Sequence, residues 1–422
     1  MRKLLLSLIL PLTCFAQGYQ NYFTGNATNS TAVPTNAKCF MGGGTMPGGA
    51  VNWILNKANG GDVVVLCTAF NNYSYLYNTG VTVNSVETII PTSAEAGTSQ
   101  YIIDKINNAE LLILGEGNAW DFITYFRNTP VEDAINNHIN VKSAPVAGIG
   151  AGMSVLGSVY YTGQYGHITS ADALNNPLHT NMTVSFTDFL LPYGQYSMLY
   201  TESSFNSPDR RGRLVAVMAK LWGTLGLKIP AYGCNENTAM CIEPSGTVKV
   251  YGANPATDFA YFVTHNCHGS MAPPITFDVP FTWSANFGHK PLYVVKVPGT
   301  SNGANYFTMG DDDNNSGCTF EFWSVENGQL DVTSAPSGLC SGIVLGNSDI
   351  SVKEIKAVPN PFNDFVEINN ADGAVVSFYD ITGKKLLESR ESKINTSALA
   401  SGLYIVHIAH KGNVTVKKMV KQ

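Results

Sequence analysis

Val146-Ala147-Gly148-Ile149-Gly150-Ala151-Gly152-Met153 sets an apolar strand end against a run of small residues, and Ser154-Val155-Leu156-Gly157 continues it in a helical pattern. A strand that turns sharply into a helix through G-x-Ser-x-G is a nucleophile elbow, which lifts a serine hydroxyl out of a sheet. Gly148 and Gly152 are the framing glycines, and Gly150 stands where the hydroxyl belongs. Glycine has neither hydroxyl nor thiol, but it adopts such a turn at less cost than other residues. The stretch predicts the frame of a hydrolase site with its nucleophile removed.

Upstream, residues 39–41 run into Gly42-Gly43-Gly44, and residues 111–114 run into Gly115. Residues 63–67 and 88–90 are further apolar runs. Helical patterns lie between them, at 99–107 and around Trp120, Phe122 and Phe126. Continuous apolar strands alternating with helices predict a doubly wound α/β domain, its mostly parallel sheet covered on both faces. Downstream, 213–222 reads as an amphipathic helix and 229–232, 239–242, 248–251 and 259–263 as strands, the middle pair turning at Pro244-Ser245-Gly246. Residues 272–347 have no helical period and read as a β-rich extension beside the sheet. Past Asp349, short strands at 366–368, 375–379, 385–387, 404–410 and 413–420 predict a small antiparallel β-sandwich.

The 422 residues are 44% apolar and 13% charged, enough for a large core in two or three domains. A net charge of -6 gives no footprint for nucleic acid. From Lys353 onward ten Lys and Arg face seven Asp and Glu, so the sign changes there and marks a separate module. Arg2 and Lys3 precede an apolar run at 4–12, and Ala16 precedes Gln17, the pattern of a secretory signal. The run is too short to span a bilayer, and no other stretch could cross one. Cleavage after Ala16 is favoured over lipidation at Cys14, because Pro11 and Thr13 suit a lipobox poorly. In an oxidising compartment some of the eight cysteines should pair. Cys318 with Cys340 and Cys234 with Cys241 are the candidate local pairs, though sequence does not fix the connectivity; Cys39 and Cys67, in apolar strands, read as buried thiols.

Residues 38–265 resemble the serine peptidase family of cyanophycinase and dipeptidase E (alpha-aspartyl dipeptidase). Met41-Gly42-Gly43-Gly44 resembles the family's glycine loop after its first strand, and 60–66 and 84–88 are similar to its secreted cyanophycinase-like branch. Residues 147–153 sit where the family has Gly-Thr-Ser-Ala-Gly. Residues 205–214 resemble its His-Phe-x-x-Arg-x-Arg-x-x-Arg-Leu block, and 233–239 its Gly-Ile-Asp-Glu-x-Thr-Ala block. The resemblance implies a class I glutamine amidotransferase-like fold, a Ser-His-Glu triad and no cofactor or metal. It places the nucleophile at Gly150, the base at Ser204 and the acid at Glu236, so only Glu236 is kept. Backbone N–H groups of Gly42, Gly43, Gly44 and Ala151 would hold the oxyanion. Glu116-Gly117-Asn118-Ala119 aligns with the family's substrate-pocket segment Gly-Gly-Asp-Gln, and Arg210 and Arg213 remain while Pro208 replaces an arginine. Asn118, Arg210 and Arg213 are the implied substrate-binding residues. Losing a triad nucleophile costs about 10⁶-fold in kcat, and without a base no nearby hydroxyl is activated.

The end of the chain resembles the Por-type sorting domain of the Bacteroidetes type IX secretion system. Val358-Pro359-Asn360-Pro361-Phe362 matches its opening, 378–384 its central block, 399–404 its penultimate strand and 416–420 its tail. This implies the type IX machinery as a partner, and export through the periplasm to the cell surface or the medium.

The expected organisation is a signal peptide at 1–16, a linker at 17–37, a cyanophycinase-like peptidase domain at 38–271, the β-rich extension at 272–347 and the sorting domain at 348–422. With the resemblance, the residues at the triad positions imply a secreted homologue without catalysis whose cleft still holds an aspartyl-rich or other anionic peptide or polymer. The alternative is an active hydrolase of cyanophycin-like or aspartyl peptides with a non-standard nucleophile, Ser154 or Cys234. A helix-packing role for Ser154 and a disulfide for Cys234 are the simpler readings. His265-Asn266-Cys267-His268 lacks the second cluster a zinc site needs and reads as a loop. Residues 311–315, Asp-Asp-Asp-Asn-Asn, lack the spacing of a calcium loop and read as an acidic turn. Arg210, Arg211 and Arg213 fit a charge patch at a helix start as well as an anionic ligand.

Overall fold

The computed structural model describes residues 18–186, 189–190, 198–268, 271–284, 290–339, 356–369, 373–380, 385–410 and 413–422. The expected signal segment lies outside the described residues. The chain divides into two compact units, Met1–Gly346 and Asn347–Gln422.

Two sheets build the first unit. One has ten strands, in the order Tyr19–Gly25, Ser85–Pro91, Asp62–Leu66, Leu111–Leu114, Val146–Ile149, Lys38–Met41, Thr238–Ile242, Thr247–Gly252, Tyr306–Thr308 and Asp311–Ser316. The five from Ser85–Pro91 to Lys38–Met41 are mutually parallel; the pairs flanking them are antiparallel. Side chains of a strand alternate between faces, and this explains the unbroken apolar runs. Val63, Val65, Leu111 and Ile113 enter one core with Ile54 and Leu55 of the helix Gly48–Lys57. Val64, Leu66, Leu112 and Leu114 enter the other with Ile102, Ile106, Phe122 and Phe126, from the helices Gln100–Asn108 and Ala119–Phe126. Fully burying one such side chain contributes roughly 1.5–3 kcal/mol, more than the ~1 kcal/mol span of strand propensities.

Register sets where the loops fall. Leu114 pairs with Gly148 and Met41 with Ile149, so three adjacent parallel strands end at one edge. The loops carrying Glu116, Gly150 and Gly42–Gly44 start there. Thr238–Ile242 runs the other way, with Ala239 opposite Met41, so Glu236 and Asn237 reach the same edge from outside.

The second sheet has eight strands, in the order Gln329–Ser334, Thr319–Glu326, Leu292–Pro298, Phe259–His265, Ala231–Cys234, Tyr200–Glu202, Val159–Tyr161 and Val184–Phe186. The helix Arg211–Leu225 packs with this sheet's side chains in a core holding Tyr200, Phe205, Leu214, Val217, Trp283 and Trp323. Gly226 ends that helix at φ 71°, in the left-handed region, and its N–H caps the Leu221 and Trp222 carbonyls. Residues 272–347 were expected beside one sheet. Their strands instead extend both, Tyr306–Thr308 and Asp311–Ser316 in the first and the other three in the second.

In the second unit, antiparallel sheets of three and four strands share one core of Phe362, Val366, Ile368, Val376, Phe378, Ile394, Tyr404, Val406, Ile408 and Met419.

Several sequence readings need correction. The 17–37 stretch contains a strand, Tyr19–Gly25, on the edge of the first sheet. An edge strand is held by backbone pairing, so it shows no apolar run. The acidic stretch at 311–315 is likewise an edge strand and not a turn. His265 ends a strand, buried against Trp222 and Trp283. Cys234 and Cys241 are separate thiols in opposite cores, so they do not pair. The Cys318 sulfur is a thiol 3.2 Å from the Tyr306 carbonyl, which removes the pair with Cys340, a residue outside the described ones. Cys267 is disulfide-bonded.

One ion pair carries much of the second sheet's polar burial. Arg213 meets the Glu202 carboxylate at 2.5 Å, the two side chains being 5% and 2% exposed, and its guanidinium lies 4.3 Å from the Tyr161 ring centre. Arg211 pairs with Asp209 on the surface. Arg213→Ala is expected to cost about 3–5 kcal/mol by stranding a buried carboxylate, and Arg211→Ala less than about 1 kcal/mol. Urea denaturation of the two variants measures the difference.

Candidate functional site

Gly150 joins the strand Val146–Ile149 to the helix Ala151–Leu156 at φ 55° and ψ -115°. This is a sharp strand-to-helix turn in a region that L-residues rarely enter, the backbone an elbow requires. Gly152 is fixed by close approach, since a Cβ there would stand 1.9 Å from the Leu114 carbonyl oxygen. The glycine loop lies alongside: the Gly150 N–H donates to the Met41 carbonyl at 3.0 Å, and a Cβ on Gly43 would stand 3.6 Å from the Gly150 Cα.

The space above Gly150 is filled by Glu116. A Cβ at 150 would stand 2.1 Å from Glu116 Oε2 and 2.9 Å from Oε1. The carboxylate thus covers the point from which a serine hydroxyl would project. Its backbone N–H is held at 3.1 Å by the Tyr73 hydroxyl, and its carboxylate accepts from the Gly44 N–H. Burial pushes the Glu116 carboxyl above its ordinary range, with the neighbouring Glu236 charge adding to the rise and the Gly44 donor opposing it.

Ser204 and Glu236 border the same place from two other elements. Ser204, at φ 46°, donates its N–H to the Gly42 carbonyl at 2.7 Å and its hydroxyl to that oxygen at 3.1 Å. A Cβ on Gly43 would meet Glu116 Oε1 at 3.1 Å and Ser204 Oγ at 3.3 Å, and one on Gly44 would meet the Glu236 Cβ at 3.4 Å. Gly42, Gly43, Gly44, Gly150, Ser204 and Glu236 are therefore neighbours, with Ala151 opening the helix beside them.

The implied substrate-binding residues have structural partners. Asn118 caps the helix Ala119–Phe126, its Oδ1 accepting the Trp120 N–H at 2.9 Å. Arg213 is buried and paired with Glu202. Arg210 donates to the Ser203 carbonyl at 2.7 Å and lies 3.6 Å from Glu202, while its charge also senses Glu236. Ser154 Oγ is 3.0 Å from Ser203 Oγ. Cys234, fully buried, points at the Thr238 carbonyl, 3.3 Å away, and burial pushes its thiol up, against thiolate formation.

Four of the first unit's described imidazoles have other partners: His138 the Pro145 carbonyl, His179 the Asn181 N–H, His265 the rings of two tryptophans, and His268 the Leu339 carbonyl. Among the described residues no three His, Cys, Asp or Glu side chains gather to hold a metal.

The second unit's strands and core coincide with a known family. Residues 356–422 match the secretion system C-terminal sorting domain. That domain marks the chain for export by type IX secretion to the cell surface or extracellular space. No curated protein matches the chain. Among solved structures it is similar to a peptidase from an acI-B1 Actinobacterium, at 14% identity and TM-score 0.39, covering 54% of this chain and 91% of that one. It is also similar to a candidate peptidase E protein from Listeria monocytogenes EGD-e, at 13% identity and TM-score 0.35, covering 52% and 99%.

Sequence reasoning missed Glu116. It aligned the 116–119 segment with a substrate pocket and gave the role to Asn118. The available signal was a pair of opposite volume changes, glutamate at a position where the family has glycine and glycine where it has serine.

Two measurements test this arrangement. Gly150→Ala should destabilise by about 1–3 kcal/mol through its positive φ and the displaced carboxylate, and by less in a Glu116→Ala background. A denaturation cycle should give a coupling of roughly 1 kcal/mol. The raised Glu116 carboxyl binds its proton more tightly in the folded chain than in the unfolded one. Its contribution is therefore full at low pH and is lost as pH rises through its folded value. Melting temperature measured against pH should show that loss in the native protein and lack that component in Glu116→Gln.

Proposed function

We propose that the chain is an exported cyanophycinase-like peptidase homologue that has lost hydrolysis and keeps its cleft for binding. The observation that carries the reading is the Glu116 carboxylate lying over Gly150 at the elbow. A hydrolase of this design needs a hydroxyl or thiol there, a base within hydrogen-bond reach and an open oxyanion cradle. Here the hydroxyl is absent, the base position is a serine bonded to the Gly42 carbonyl, and Gly44 donates to an internal carboxylate. The five parallel strands at the centre of the first sheet support the doubly wound, amidotransferase-like reading of the fold.

Electrostatics narrows the ligand. A purely aspartyl-rich peptide would meet Glu116 and Glu236, while Arg213 is already paired with Glu202 and Arg210 lies between the Ser203 carbonyl and Glu202. A peptide that also carries guanidinium groups, as the β-aspartyl-arginine polymer does, offsets that repulsion. Among the described residues no hydrogen bond joins a histidine to Ser154 or Cys234, whose partners are Gly150 and Ser203 for the one and the Phe40 and Thr238 carbonyls for the other, so no observation favours a substitute nucleophile.

Purified exported protein should show no turnover of β-aspartyl-arginine polymer or aspartyl dipeptides, and should bind the arginine-bearing polymer more tightly than poly-aspartate in calorimetry. Turnover that disappears in Ser154→Ala, Cys234→Ala or Glu116→Gln would refute the loss of catalysis.

A further inference from the structure

We propose that Cys39 and Cys241 form a cross-strand disulfide in the exported protein, stapling the glycine-loop strand to the strand that follows Glu236. The two residues are directly opposite in the antiparallel pair of Lys38–Met41 with Thr238–Ile242. The Gly42 N–H bonds the Thr238 carbonyl at 3.0 Å, which makes 42 and 238 a hydrogen-bonded pair. Pair types alternate along an antiparallel ladder, so 39 and 241, three positions on, are a non-hydrogen-bonded pair. Such pairs bring their Cα atoms to about 4.5 Å and their side chains closest, inside the Cα range that a disulfide spans. The two sulfurs already stand 3.3 Å apart.

The surroundings select this pair over its rival. Both sulfurs lie in the core with Met41, Ala147, Ile149, Ala239 and Tyr251. Cys234 lies in the core on the other face of the sheet, and its sulfur faces the Phe40 and Thr238 carbonyls. Type IX export passes through a compartment where protein disulfides act as oxidants. Both cysteines are fully buried in the finished fold, so the bond forms as the sheet closes and is afterwards shielded from exchange. The two thiols lose their protons, one S–S bond forms, and the two electrons reduce the oxidant's disulfide to a dithiol. The bond ties together residues 202 positions apart. It anchors the base of both segments that border Gly150: Gly42–Gly44 directly after Met41, and Glu236-Asn237 directly before Thr238.

Full-length exported protein is denatured in alkylating reagent without reductant, digested and analysed by mass spectrometry. The expected result is one cross-linked peptide joining Cys39 to Cys241, lighter by two hydrogens than the sum of its parts, with Cys67 and Cys234 alkylated. Alkylation of both Cys39 and Cys241, or a bond from either to Cys234, overturns the proposal. A Cys39→Ala/Cys241→Ala variant gives a second readout. Unfolded in reductant and refolded with its thiols kept reduced, the native protein should lose about 5 °C more in melting temperature than the variant does under the same treatment, and the variant's remaining response comes from the Cys267 bridge. Equal responses overturn the proposal.

Discussion

The parallel pairing of Met41 with Ile149 is the constraint from which the cleft follows. It sets the ends of two neighbouring strands level, so the chain must leave both at the same edge and turn within a few residues. The backbones then approach until Gly150 bonds the Met41 carbonyl. At that separation side chains on the loops compete for one small volume. Glycine at 42–44, 150 and 152 resolves the crowding by leaving most of that volume empty, and Glu116 enters from the third strand of the set.

Glu116 also changes the character of the place electrically. An elbow with a bare glycine would be a dent lined with backbone donors, a setting suited to developing negative charge. With a carboxylate already seated against the Gly44 N–H, that capacity is used internally. A second carboxylate, Glu236, adds charge of the same sign, and burial makes the charged form of Glu116 costly. The backbone makes the sharp strand-to-helix turn at Gly150, and the side chains around it place two carboxylates there.

The parallel strands, the elbow and the sorting unit were legible because each has a pattern that physics imposes directly. A strand buried on both faces must be apolar throughout, and Asp62–Leu66 and Leu111–Leu114 show it. A sharp turn needs glycine, and Gly150 supplies it. Elements held by backbone pairing alone left no such trace. Tyr19–Gly25 and Asp311–Ser316 are edge strands with polar sequences. The commitment of Arg213 to Glu202 was hidden because an arginine's partner is a property of the tertiary fold. The pairing of Cys234 with Cys241 looked reasonable by separation along the chain. It failed because the two residues sit on strands of different sheets and point into different cores.

The hairpin of Thr319–Glu326 and Gln329–Ser334 forms the outer edge of the second sheet, and the chain that follows stays on the first unit. The Tyr293 hydroxyl donates to the Pro336 carbonyl at 3.2 Å, the His268 ring stands 3.1 Å from the Leu339 carbonyl, and Ala335 and Leu339 pack against the core. Tension applied from the C-terminal side therefore meets these contacts before it reaches the outermost ladder. Only their loss would expose the pairing of Ser334 with Glu321 to peeling, one hydrogen bond at a time, so residues 335–339 act as a mechanical clamp over the hairpin.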